Sequence, residues 1–99
     1  MARKPGPPSQ DLVDKVWDKG TPIRGKNPDV HRRDAYGNPI YKPSFGKQGE
    51  QSWEIDHKKP LNKGGSDNLR NLQPLQTETN REKGDQYPFK PEPSKPHRK

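Results

Sequence analysis

Apolar residues along this chain fall into short groups separated by long polar intervals. The first group, Leu12, Val13, Val16 and Trp17, has i, i+1, i+4, i+5 spacing, which makes a narrow stripe along one side of a helix. Ser9 before it is a good N-cap, Asp11 lies in the first turn where the helix dipole favours an acid, and Gly20 can close the segment. The pattern predicts a short amphipathic helix between Ser9 and Gly20, with Trp17 as its packing anchor. Thr21 to Pro28 reads as a loop. Val30 to Asp34 predicts a short strand, Tyr36-Gly37-Asn38-Pro39 has turn chemistry, and Ile40-Tyr41 runs back to complete a hairpin. Phe45 to Gly49 reads as a further loop.

The next stretch is denser. Trp53 and Ile55 alternate with polar residues, the period of a half-buried strand, and Pro60 stops it. Lys63-Gly64-Gly65-Ser66 predicts a turn or loop. Leu69, Leu72 and Leu75 supply another apolar set, with a brief second strand at Asn71-Leu72-Gln73. Thr77 is a fair N-cap for a helix running to about Lys83, with Glu78 in its first turn and Gly84 ending it. The predicted order is strand, loop, strand, helix.

Composition limits how large a fold these elements can build. Leu, Ile, Val and Phe number 13 of 99 residues, below the roughly 20% at which a stable apolar core becomes doubtful. Thirteen prolines and nine glycines add further positions that resist regular structure. One small domain is expected, over residues 9–87 with its central motif at 53–85, flanked by a flexible arm at 1–8 and a proline-rich basic tail at 88–99. Twenty Lys and Arg against 13 Asp and Glu give a net charge of +7, which favours an anionic partner, nucleic acid before an acidic membrane. No segment approaches the roughly 20 apolar residues of a membrane span, and the first residues lack the apolar run of a secretory signal. The absence of cysteine excludes disulfides, a thiol nucleophile and Cys-ligated zinc. A metal ion would be held by His, Asp, Glu or Asn.

A strand–loop–strand–helix unit brings the end of one strand close to the first turns of a helix. Asp56 and His57 lie at that strand end and Asn80 near the helix start, so two oxygen ligands and one imidazole could converge on an ion and a water. Phosphodiester hydrolysis needs those parts: a divalent cation to neutralise charge growing on the phosphoryl oxygens, and an imidazole to take a proton from water. Lys58, Lys59, Arg81 and Lys83 flank the site and can hold a phosphate backbone. Arg32 and Arg33, beside His31, suit a phosphate-facing surface upstream. Glu54 suits a strand-edge salt bridge. Neighbours on a regular strand point to opposite faces, so Asp56 and His57 can share one ion only if the strand ends or bulges there.

The segments Glu-Ile-Asp-His-x-x-Pro-Leu, Lys-Gly-Gly-Ser-Asp-Asn-Leu, Asn-Leu-Gln-Pro-Leu and Thr-Asn-Arg-x-Lys-Gly-Asp, in that order and spacing, resemble the HNH (ββα-metal) endonuclease family. The likeness is tight over about a third of the chain and looser upstream, at Arg32-Arg33-Asp34-Ala35-Tyr36-Gly37-Asn38, which is similar to sequences preceding such domains in small bacterial proteins and toxin modules. The resemblance implies an α+β fold, a small ββα-metal domain with an added N-terminal helix. It implies that His57 is the general base, that Asp56 and Asn80 are the metal ligands, and that Asn71 is structural, fixing the backbone around His57. Many relatives carry two Cys-x-x-Cys pairs that bind a structural zinc. This cysteine-free chain must take that stability from its own core, with the N-terminal helix and Trp53 packed on it. Magnesium, manganese, nickel and zinc are implied as candidate ions, and the hard Asp and Asn ligands favour Mg²⁺.

The function so expected is a metal-dependent DNA endonuclease without strong sequence specificity, RNA being an alternative substrate. The rival is a basic nucleic-acid-binding module that keeps the fold without cutting. Two settings fit equally: a cytoplasmic nuclease of bacterial or phage origin, or a toxin delivered into a target cell and restrained by an immunity protein. Sequence leaves the oligomeric state open.

Overall fold

The computed structural model describes residues 7–90. In chain order these form α1 (Gln10–Trp17), β1 (Thr21–Pro22), β2 (His31–Arg33), β3 (Pro39–Tyr41), β4 (Trp53–His57), β5 (Leu72–Gln76) and α2 (Thr77–Lys83). Short 3₁₀ turns occupy Lys42–Ser44, Leu61–Lys63 and Leu69–Asn71. This is the expected α+β mixture. The expected arm at 1–8 and tail at 88–99 lie mostly outside the described residues.

α1 begins where its cap places it. The Ser9 hydroxyl oxygen accepts from the Leu12 amide at 3.1 Å, and the buried residues Val13, Val16 and Trp17 form the inner stripe. The helix ends with Asp18 as C-cap, two residues before Gly20.

Strands β4 and β5 make a two-stranded antiparallel ribbon with an unbroken register, from Trp53 opposite Gln76 to His57 opposite Leu72. The ribbon lies between the two helices. Trp53, Ile55 and Leu72 face α1 and join Val13, Val16, Trp17, Ile40, Leu12 and Phe45 in one apolar cluster. Trp53 stacks obliquely on Trp17 at 5.3 Å and on Phe45 at 4.8 Å between ring centroids. Both indole N–H groups donate to backbone carbonyls, Trp17 to Pro28 and Trp53 to Lys42, so these large rings are buried without an orphaned donor. Glu54, Asp56 and Gln73 leave the ribbon on the other side, as alternation requires, and there the helix α2 covers them.

The first sheet has three strands rather than a simple hairpin. β1 pairs antiparallel with β2, which pairs with β3, so Thr21 and Pro22 belong to a strand where a loop was expected. Arg32 explains it. Its guanidinium donates to the carbonyls of Pro28, Asp18 and Gly20 and lies 5.9 Å from the Trp17 ring, which draws the segment after α1 against β2.

The hairpin turn between β2 and β3 is welded to the start of α2. The buried Asp34 carboxylate accepts from the amides of Tyr36 and Asn38, from the Asn38 side chain, and from the Gln76 amide across the fold. Asn38 Nδ2 also donates to the Thr79 hydroxyl, which donates in turn to Gln76 Oε1. Two expectations change here. The second strand is longer than Asn71-Leu72-Gln73, and it runs directly into the helix. Gln76, not Thr77, is therefore the N-cap residue, with no side-chain cap bond. Thr77 is instead the first helical residue, and its amide is satisfied by the Ser52 carbonyl.

Candidate functional site

A polar seam runs between β4 and α2. Glu54 and Asp56 are two apart on the strand, and Asn80 and Lys83 are three apart on the helix, so each pair shares a face. They meet in register. Asn80 Nδ2 donates to Glu54 Oε1 at 2.7 Å. Further along, Lys83 Nζ donates to Asp56 Oδ1 at 3.1 Å and to the His57 carbonyl at 3.0 Å. Gln73, opposite Asp56 on β5, donates to Asp56 Oδ2 at 2.8 Å. Tyr36 approaches the seam from the upstream hairpin, on the side of Gln73. Burial pushes its phenol up from the ordinary value, with the carboxylates of Asp56 and Asp34 adding to the effect and the Gln73 amide opposing it.

His57 sits at the end of β4 on the other side of the ribbon. Its Nε2 lies 2.7 Å from Asp67 Oδ1. A carboxylate can only accept, so Nε2 carries the proton in this pair, and the neutral ring keeps its lone pair on Nδ1. Asn71 holds the loop that carries Asp67. Its backbone carbonyl accepts from the Lys58 amide at 2.7 Å, and its side chain accepts from the Lys59 amide and donates to the carbonyls of Lys59 and Ser66. Gly65 packs so close to Lys59 that a Cβ there would collide with the Lys59 carbonyl, which explains the second glycine of the Lys-Gly-Gly-Ser loop. The first, Gly64, has φ +94° and closes a 3₁₀ turn in the left-handed region.

The side chains of Asp56, His57 and Asn80 therefore each have a different partner, and among the described residues no hydrogen bond links the three. The reason is the register: β4 has no bulge, so Asp56 faces α2 while His57 leaves the opposite face. Glu54 meets an amide rather than forming a strand-edge salt bridge. Two residues expected on a phosphate-facing surface are elsewhere. Lys83 is 2% exposed and ion-paired inside the fold, because the helix aims it at Asp56. Arg32 spends its donors on the three carbonyls behind α1. Lys58, Arg81 and Arg33 are exposed, Lys59 is half-buried with its ammonium 5.9 Å from the Tyr87 ring, and Arg33 also donates to the Gly37 carbonyl. Beside Lys58, Lys19 donates to the carbonyls of Leu69 and Leu72. Its ammonium is held below the ordinary lysine value by burial and then by the charge of Lys58.

No group of three or more His, Cys, Asp or Glu placed to hold a metal ion occurs among the described residues. The donor chemistry of the seam nevertheless fits a hard cation. Two carboxylates face one ammonium and two neutral amides, leaving an uncompensated negative charge. Asn80, with its nitrogen committed to Glu54, keeps its carbonyl oxygen for another partner. Asp56 and Asn80 are the residues that could hold such an ion, with oxygen ligands of the type Mg²⁺ takes.

Sequence reasoning missed four partners: Asp67 for His57, Glu54 for Asn80, Lys83 for Asp56, and Asp34 as the joint to the hairpin. The middle two were within reach, because the i, i+2 carboxylates on a strand and the i, i+3 pair on the following helix are a matched polar register.

No curated protein and no solved structure matches the chain. Residues 44–86, which span β4, the loop pinned by Asn71, β5 and α2, match the family model of HNH endonucleases. This match supports the HNH endonuclease family, whose members generally cut nucleic acids, for that segment of the chain.

Proposed function

We propose that this chain is a metal-dependent endonuclease that hydrolyses DNA phosphodiester bonds by water attack, without strong sequence specificity. The observation that carries the reading is the coincidence of the HNH match with an oxygen-rich seam and a strand-end histidine. His57 is the general base: Asp67 holds the Nε2 proton and turns Nδ1 into the acceptor for the proton of water. Asp56 and Asn80 hold the divalent ion, Mg²⁺ foremost, and that ion supplies neutralisation of the charge that develops on the phosphoryl oxygens. Asn71 keeps the His57–Asp67 loop in place. Lys58, Lys59, Arg81 and Arg33 grip the phosphate backbone, a contact that reads charge and not sequence.

One observation favours a second reading, a nucleic-acid-binding module that does not cut. Both oxygens of Asp56 already accept hydrogen bonds, one from an ammonium that does part of a metal ion's electrostatic work. Plasmid nicking by the purified chain separates the two. Nicking that stops in EDTA and in His57→Ala is the expected result; nicking that persists in either overturns the mechanism. Retardation of DNA without nicking under several metals establishes the binder, and a parallel RNA digest tests the alternative substrate.

A further inference from the structure

Glu54 has no role in the mechanism above, yet it makes one of the shortest polar contacts of the seam. An asparagine amide has two unlike ends, a carbonyl oxygen that can bind a cation and an NH₂ group that cannot. The two ends have nearly the same shape, so packing alone does not choose between them. A carboxylate does choose, because it only accepts. Glu54 Oε1 lies 2.7 Å from Asn80 Nδ2, a distance typical of a charge-assisted bond. The contact is partly buried, where such a bond is stronger than in water. Nothing else in the seam could set the amide: Asp56 is occupied by Lys83 and Gln73.

We infer that Glu54 is the positioning residue of Asn80, taking its NH₂ group so that the carbonyl oxygen remains the end offered to a divalent ion. The inference rests on Asn80 being a metal ligand. Glu54 acts through the amide and does not itself touch the ion, in the way that groups behind metal ligands orient them and tune affinity by about 10–100-fold.

The test is Mn²⁺ binding to the full chain, followed by calorimetry and by the electron paramagnetic resonance signal of the free ion, which need no catalysis. Glu54→Ala is expected to weaken Mn²⁺ binding by at least about tenfold. Glu54→Gln keeps a neutral oxygen that still accepts from Asn80 and is expected to stay within about threefold of the parent. Asn80→Ala is expected to lose as much as Glu54→Ala or more. If Mn²⁺ binds the parent, fails with Asn80→Ala and is unchanged in Glu54→Ala, the positioning role is overturned while the ligand reading stands. If Glu54→Gln is as damaged as Glu54→Ala, the carboxylate is itself a ligand, which also overturns it. A parent chain that takes up no Mn²⁺, or an Asn80→Ala variant that binds normally, overturns the ligand reading and this inference with it. Should the variants fold poorly, the side-chain amide resonances of Asn80 in the parent decide. One hydrogen-bonded, slowly exchanging NH₂ proton supports the contact, and a freely exchanging, averaged pair refutes it.

Discussion

Replacing Lys83 by methionine removes an ammonium while keeping most of the aliphatic volume, so it isolates the charge. Lys83 and Asp56 have side chains 2% and 6% exposed at 3.1 Å separation. In the variant the Asp56 carboxylate would keep only the Gln73 amide as a donor, and the His57 carbonyl would lose its partner. Breaking a buried pair from one side typically costs about 3–5 kcal/mol, because the remaining charge is left uncompensated away from water. The pair Lys15–Asp11, with side chains 58% and 76% exposed, sets the contrast: such surface pairs contribute about 0.2–1 kcal/mol. For a domain of this size each kcal/mol moves Tm by roughly 4–8 °C, so even a loss of about 3 kcal/mol lowers Tm by roughly 12–24 °C. The assay is a double-mutant cycle by urea and thermal unfolding on Lys83→Met, Asp56→Asn and the double variant. The double variant is expected to recover much of the loss, since two neutral groups leave no buried charge. A Lys83→Met variant less than about 1 kcal/mol below the parent would refute the reasoning, for the pair would then behave as a solvated one.

Two further outcomes follow from the same geometry. Asn71→Ala deletes three side-chain hydrogen bonds that hold residues 59 and 66; at about 1 kcal/mol each it should lower stability by about 2–3 kcal/mol and accelerate amide exchange in the 58–70 loop before the ribbon, and uniform protection there would contradict this. Tyr36, whose phenol is pushed up chiefly by burial, has a folded-state value above its unfolded one, so its contribution is complete below the ordinary tyrosine value near 10.0 and is lost as pH rises through the folded value. Ultraviolet titration should therefore show one of the three tyrosines ionising late, and Tyr36→Phe should remove that late step and flatten the alkaline fall in stability; a late step that survives the substitution belongs to another residue.

The elements with a local cause were legible in the sequence. Ser9 capped α1, the alternation of Trp53 and Ile55 gave β4, and Gly84 ended α2. What escaped was set by tertiary contacts. β1 is two residues long and exists because Arg32 ties the chain behind α1. The start of α2 lies one residue from its expected place because Asp34, 42 positions earlier, takes the Gln76 amide. The candidate site was legible as a set of residue types but not as a set of pairs. Lys83 illustrates why: as the last residue of a helix it reads as an exposed charge able to hold a phosphate, and only the packing of α2 on β4 turns it inward.

Without a single cysteine to tie it together, the fold is held by joints of two kinds, and they sit in different places. On the α1 side the ribbon rests on apolar contact, with Trp17, Trp53 and Phe45 stacked around Val16 and Ile40. On the α2 side, apolar contact is thin. The helix is seven residues long, too short to be stable alone, and what fixes it is polar: the Asp34–Gln76 and Asn38–Thr79 bonds at its start, Glu54 at its middle and Asp56 at its end. Polar joints differ from apolar ones in being directional, so they specify the rotation of the helix about its axis as well as its position. That rotation decides which faces of Asn80 and Lys83 meet the strand. Apolar contact alone would hold α2 close to β4, but it would tolerate a helix turned by a fraction of a turn; a row of matched donors and acceptors would not. The residues expected to hold an ion and those that hold the helix are thus the same row, so substitutions there should disturb stability and metal affinity together, whereas substitutions of Trp17 or Trp53 should lower stability and leave the affinity of the folded fraction intact.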